Sequence, residues 1–222
     1  PENEILLEEI NLKSADWFKK RLVGMPDNYF KFPTKTDIFG SPWGKLYKAS
    51  IIKENCLKFF DRSKIGMEDV LFNIHYSKYI KELIFVKEKL YYYRKDTPNS
   101  LSKSDIKKLR LKLVRLFDRI EESIPNTDEY RHLLMNRKVL NSINIILSIT
   151  SNNSNLSFLN QYRELRDLLN AVWFKNALKD FKIQSMSLIW RVLFYACRFN
   201  FVFFVFLLGK LMQIYRKKAL QK

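Results

Sequence analysis

The chain has 222 residues, 47% of them apolar and 28% charged, which describes a folding sequence and excludes a disordered one. Only 5 glycines and 6 prolines exclude collagen-like, linker-rich and glycine-rich β architectures, and 2 cysteines, Cys56 and Cys197, exclude a disulfide framework and point to a reducing compartment. A formal charge of +17, from 40 basic and 23 acidic residues, points to anionic partners: phosphates, nucleic acid or acidic lipid.

The opening residue is proline and no signal peptide follows, so the sequence reads as a piece of a longer protein. All prolines lie at or before Pro125, and every glycine except Gly209 lies at or before Gly66. Punctuation therefore belongs to the first half, and the second half should be mostly helical. In chain order, Trp43 comes first; flanked by Pro42 and Gly44, it belongs on a loop. Residues 68–79 read as a helix, with Gly66 able to supply the tight bend before it. Residues 82–87 and 89–94 are short and rich in β-branched or aromatic side chains, so both read as strands, with Tyr91, Tyr92 and Tyr93 as packing residues. Asp96–Ser100 closes them as a turn. Residues 105–122 carry apolar groups at 106, 109, 113, 116, 117 and 120, the spacing of a helix, with Ser104 or Asp105 as its N-cap. Further helices are expected over 128–150 and 158–180, with 151–155 as the loop between them.

Composition shifts near residue 180. From Phe181 to Lys222 there are eight Lys or Arg and no Asp or Glu, interleaved with aromatics. A helix over 187–216 would be apolar around most of its circumference, broken by Arg191, Arg198 and Lys210. The eleven residues between Arg198 and Lys210 rise about 16 Å, against roughly 30 Å of bilayer core. A helix or helical hairpin lying in the membrane interface fits better than one clean span, with Phe and Leu among acyl chains and Lys and Arg at phosphates. Arg216, Lys217 and Lys218 would then meet anionic headgroups.

Several chemistries lack their residues. There is no GxGxxG, GxxxxGK[ST] or HExxH, and His75 and His132 lie far apart in sequence. A zinc site and a Ser-His-Asp triad are poorly supported. Nucleic-acid binding is disfavoured because no reader motif is present and the basic excess lies among contiguous apolar residues.

Four segments carry a positive signal: Gly40-Ser41-Pro42-Trp43-Gly44-Lys45-Leu46-Tyr47-Lys48, then Gly66-Met67-Glu68-Asp69, then Leu90-Tyr91-Tyr92-Tyr93-Arg94, then Asn99-Ser100-Leu101-Ser102. In order and spacing they resemble the acceptor-side, C-terminal half of bacterial family 2 glycosyltransferases of the GT-A fold, over roughly residues 30 to 102. The resemblance implies an α/β fold, an incomplete GT-A half with a mixed sheet and helices, followed by a mostly helical C-terminal region. Proline and glycine placement with apolar spacing marks 103–180 as a helical region, and basic, aromatic composition marks 181–222 as membrane-associating helices; the resemblance implies residues 1–102 as the acceptor-side part. It further implies inverting transfer from a nucleotide-sugar to a surface-polysaccharide or lipid-linked acceptor, at the cytoplasmic face of the inner membrane. Asp69 would be the catalytic base, with Glu68 supporting it. A carboxylate in the first turn of a helix is favoured by the helix dipole, and it can take the proton of a sugar hydroxyl.

Trp43 is the candidate platform for an acceptor ring, and Lys45 and Arg94 are candidates for the diphosphate. Such enzymes hold a divalent metal, Mn or Mg, on a DxD motif. No DxD occurs in this sequence, so the nucleotide-binding half is expected upstream and the chain alone is expected to be inactive. The alternative is a non-enzymatic, membrane-peripheral binding or scaffold module.

Overall fold

The computed structural model describes residues 14–31, 33–35, 39–86, 88, 90–92, 106–151, 154 and 156–220, with the side chains of 35, 106–107 and 215–220 left out of the description. The chain divides into two compact units, Pro1–Val23 with Asp37–Tyr130, and Gly24–Thr36 with Arg131–Lys222.

The first unit contains α1 (Ala15–Val23), α2 (Ala49–Glu54), α3 (Glu68–Ser77) and α4 (Ile106–Ser123). Helix α3 packs against both α1 and α4. Its Val70, Leu71 and Ile74 are buried, as are Phe18 and Leu22 of α1 and Leu113, Leu116, Phe117 and Ile120 of α4. These four residues of α4 are among the six its apolar spacing named; Leu109 is only half-buried, and the side chain of Ile106 lies outside the description.

The expected mixed sheet is absent. Among the described residues there is no strand, and the structure is 65% helix, so an α/β GT-A half is not what this sequence forms. Residues 82–86 carry no strand pairing, and Ile84 is 86% exposed. Tyr91 and Tyr92 are exposed as well, which removes them from the core the sequence suggested. The physical reason is that β-branched and aromatic runs favour a half-buried pleated surface and not a strand in isolation. No other described segment offers these residues a ladder. Residues 87, 89, 93 and 94, with the turn at 96–100, lie outside the described residues.

The second unit contains most of α5 (Asp128–Ile149), then α6 (Phe158–Leu169), α7 (Val172–Lys179), α8 (Leu188–Arg198) and α9 (Val202–Leu220). One helix over 158–180 was expected; the chain breaks at Asn170–Ala171. The Asn170 amide and side chain both donate to Arg166 O, and Ala171 is extended, so the ladder ends there. Between α8 and α9, Asn200 turns the chain in the left-handed region with φ 57°. No helix among the described residues is long and apolar enough to cross a membrane.

Segment 24–36 is fastened to α5 by polar and close contacts. Asn136 Nδ2 donates to Met25 O and to Asp27 Oδ1, both at 2.9 Å. His132 Nε2 and Lys182 Nζ reach Asp27 at 2.8 and 2.9 Å. Burial alone would raise the Asp27 carboxyl, but hydrogen bonds from Lys182, His132 and Asn136 outweigh it and hold the group below its ordinary range. Phe30 stacks on Phe181 at 4.6 Å.

Gly24 permits this docking, because a Cβ there would stand 1.9 Å from Leu133 O, a backbone atom with nowhere to go. Gly24→Ala should therefore destabilise the second unit by more than about 3 kcal/mol. Urea denaturation followed by circular dichroism checks this; a change under about 1 kcal/mol would mean the two backbones do not meet there.

Candidate functional site

The site is built on the N-terminal half of α3. Met67, just before the helix, is left-handed, with φ 59° and ψ 46°. The sequence offered Gly66 for the tight bend, yet Gly66 has no positive φ and the bend falls on Met67. A non-glycine residue there costs about 1 kcal/mol or more, so the surrounding contacts must hold it. Glu68 and Asp69 follow in the first turn. The Val70 amide donates to Asp69 Oδ1 at 2.9 Å, which orients the carboxylate against its own helix.

Asp69, Asn73 and Tyr76 stand at i, i+4 and i+7 on α3 and so share one face. Segment 40–48 is fastened to that face. Asn73 is only 1% exposed. Its Nδ2 donates to Gly40 O at 2.6 Å and to Asp69 O at 3.0 Å, and its Oδ1 accepts from the Tyr47 hydroxyl at 2.8 Å. The Lys48 amide donates to the Tyr76 hydroxyl at 2.8 Å. The Tyr47 ring meets Phe72 and Tyr76 edge-on, at 5.7 and 4.9 Å. Burial pushes the Tyr47 phenol up to about 12, so it remains a donor at neutral pH. Gly44, at φ 71°, turns the segment between Trp43 and Lys45.

Two of the expected site residues meet here. Lys45 is half-buried and donates to Ser41 O. Burial lowers its pKa, and the nearby Asp69 carboxylate opposes that shift. Trp43, on the same segment, is 47% exposed and stacks on Tyr91 at 5.2 Å with 16° between the planes. Glu68 is placed otherwise, with its Oε1 4.0 Å from Arg62 Nε. Arg94 lies outside the described residues.

Sequence reasoning missed Asn73, Tyr47 and Tyr76 as the fastening and Tyr91 as the partner of Trp43. The i, i+4, i+7 spacing from Asp69 was the available signal for two of them; nothing local announces a ring stacked across 48 residues.

A cleft of about 710 Å³ in the same unit holds none of these residues. Lys64, Arg115 and Arg119 line it together with Asp61, Asp118 and Glu122, three charges of each sign. None of the site residues expected from the sequence lies in it. Among the described residues, no group of three His, Cys, Asp or Glu side chains is placed to hold a metal ion. No protein-family model, no curated protein and no solved structure matches the chain.

Asn73→Ala should strand the Gly40 carbonyl and the Tyr47 hydroxyl and cost about 1–3 kcal/mol, and Tyr47→Phe about 1 kcal/mol. Amide hydrogen exchange should show residue 48 opening faster in the Asn73 variant. Unchanged protection there would mean that Asn73 does not hold the segment.

Proposed function

We propose that this chain forms the acceptor side of an inverting sugar transferase of bacterial surface-polysaccharide assembly, acting on a glycan or lipid-linked acceptor at the membrane surface. The observation that carries the reading is the fastening of segment 40–48, which bears Trp43 and Lys45, onto α3, whose first turn bears Asp69. The four-segment resemblance is the other support, and two of its segments are the ones joined here.

In this reading the Asp69 carboxylate accepts the proton of an acceptor hydroxyl. The freed oxygen attacks the anomeric carbon of the donor sugar, forming a new C–O bond with inversion. The old C–O bond breaks, and its electron pair leaves with the nucleoside diphosphate. Lys45 supplies positive charge next to the base, toward the diphosphate. The half-exposed Trp43 and Tyr91 rings offer an apolar face to the acceptor ring. The resemblance assigns Arg94, which lies outside the described residues, to the diphosphate as well. Nucleotide and divalent metal belong to a donor half that the resemblance places upstream. Among the described residues, no group of three His, Cys, Asp or Glu side chains is placed to hold that metal.

The same reading puts the protein at the cytoplasmic face of the inner membrane, peripheral or monotopic. A second reading, a non-enzymatic membrane-peripheral scaffold, draws on the exposed apolar side of α8 and α9 and needs no chemistry at Asp69.

Asp69→Asn, made in the protein together with its donor half, should reduce transfer by roughly 10² to 10⁴ while donor binding stays intact. Glu68→Gln should cost less, since Glu68 faces Arg62. Turnover near wild type in Asp69→Asn, measured on the native acceptor, refutes the assignment of Asp69 as the base.

A further inference from the structure

Helices α8 and α9 form a hairpin in the second unit, packed on each other. The inward side is apolar, as a packed hairpin requires: Leu193, Phe194 and Cys197 of α8 and Val202, Val205 and Phe206 of α9 are buried. The outward side is apolar as well. On α8, Leu188 (75% exposed), Val192 and the following Phe199 (62%) make one stripe. On α9, Phe203, Phe204, Leu207, Leu211 and Ile214 are all exposed, and at helical spacing they fill an arc about 100° wide. A helix apolar on every side belongs in a core or in lipid, and contiguous outward apolar surface of this extent marks an interaction face.

The charges narrow the choice of occupant. The sequence suggested that the arginines of the tail lie at lipid phosphates, and the structure ties two of them to backbone carbonyls of their own fold. Arg198 donates to Leu178 O at 2.6 Å and to Phe181 O at 2.9 Å, capping the end of α7, and Arg191 donates to Met186 O at 2.8 Å. Lys182 is engaged by Asp27, and Lys210 lies over the Phe206 ring at 5.4 Å. Half of the eight basic residues of the tail thus have contacts within the fold. The remaining four, at 216–218 and 222, fall at and beyond the end of α9, with no acidic residue anywhere from 181 to 222. A second copy would bring only the same uncompensated positive charge, since the segment carries no acid of its own. A bilayer offers acyl chains for the arc and phosphates for the basic end.

We propose that the outward face of the α8–α9 hairpin inserts into the boundary between headgroups and acyl chains of a bilayer, as an apolar wedge held chiefly by burial and only secondarily by charge. The inference rests on the membrane-peripheral part of the reading above and is independent of the chemistry at Asp69.

Sedimentation of the full chain with phosphatidylcholine vesicles, and with vesicles containing phosphatidylglycerol, tests it. Binding to both kinds is expected, persisting at about 0.5 M salt, where surface charge is screened. Replacing Phe203, Leu207 and Leu211 together by Ser should weaken binding to both by roughly tenfold or more. Those positions are exposed, so the fold should survive, as circular dichroism would show. As a second probe, the fluorescence of the indole introduced by Phe203→Trp should be quenched by brominated lipid. Asp69→Asn should bind vesicles like wild type, which separates failure here from failure of the sugar-transfer reading. The proposal is overturned if the wild-type chain ignores both vesicles or binds only the anionic ones and releases them in salt. It is equally overturned if the triple variant binds undiminished, if brominated lipid leaves the Phe203→Trp variant unquenched, or if the face proves to be a dimer contact in the absence of lipid.

Discussion

One buried side chain, Asn73, sets the geometry of the first unit's site. Its amide group accepts from Tyr47 and donates to Gly40 O and to Asp69 O, so a single residue ties the segment carrying Trp43 and Lys45 to the turn carrying Asp69. A buried amide has a steep cost if any of these partners is lost. The constraint therefore works in both directions: it holds the segment on the helix, and it demands that the helix begin in one place. Met67 in the left-handed region just ahead of Glu68 is consistent with that demand. Lys45, held by Ser41 O, and the exposed Trp43–Tyr91 stack follow from the segment's path.

Helices were legible where apolar spacing was strong and local. Leu113, Leu116, Phe117 and Ile120 named the buried face of α4 correctly because that face is decided within a few turns. The β reading failed over the described part of 82–94 for the converse reason: a strand is decided by a partner, and aromatic and β-branched content says nothing about whether one is present. The break at Asn170 was hidden because Asn is tolerated inside helices and becomes a stop only when its side chain turns back on the chain, as it does to Arg166 O. At the site, the resemblance gave Asp69 and Glu68 different roles, and their surroundings differ as well. Glu68 lies 4.0 Å from Arg62, whereas Asp69 accepts the Val70 amide on Oδ1 and the Asn73 side chain on its backbone carbonyl.

Net charge was the most visible property of the sequence and the least direct guide to how the tail works. Of the eight tail cations, Arg198 acts as a helix cap, Arg191 holds Met186 O and Lys182 serves Asp27. Their aliphatic and hydrogen-bonding roles are settled by tertiary contacts that composition does not reveal. The exposed apolar arc of α9 is the feature left over, and it explains why the segment reads as nearly membrane-spanning while no helix in the described residues is long and apolar enough to cross.

If segment 40–48, fixed on α3, presents an acceptor-binding surface, a glycan must touch Trp43 before any other tryptophan. The chain has four, Trp17, Trp43, Trp173 and Trp190, so their indole N–H signals give four reporters of contact. The decisive measurement is an NMR titration of the wild-type chain with a set of soluble, lipid-free oligosaccharides drawn from bacterial surface polysaccharides, following those four signals. A saturable shift at Trp43 with at least one glycan is expected, with little change at the other three. Saturable shifts confined to Trp17, Trp173 or Trp190, or no shift with any glycan at millimolar concentration, would contradict the acceptor-surface assignment.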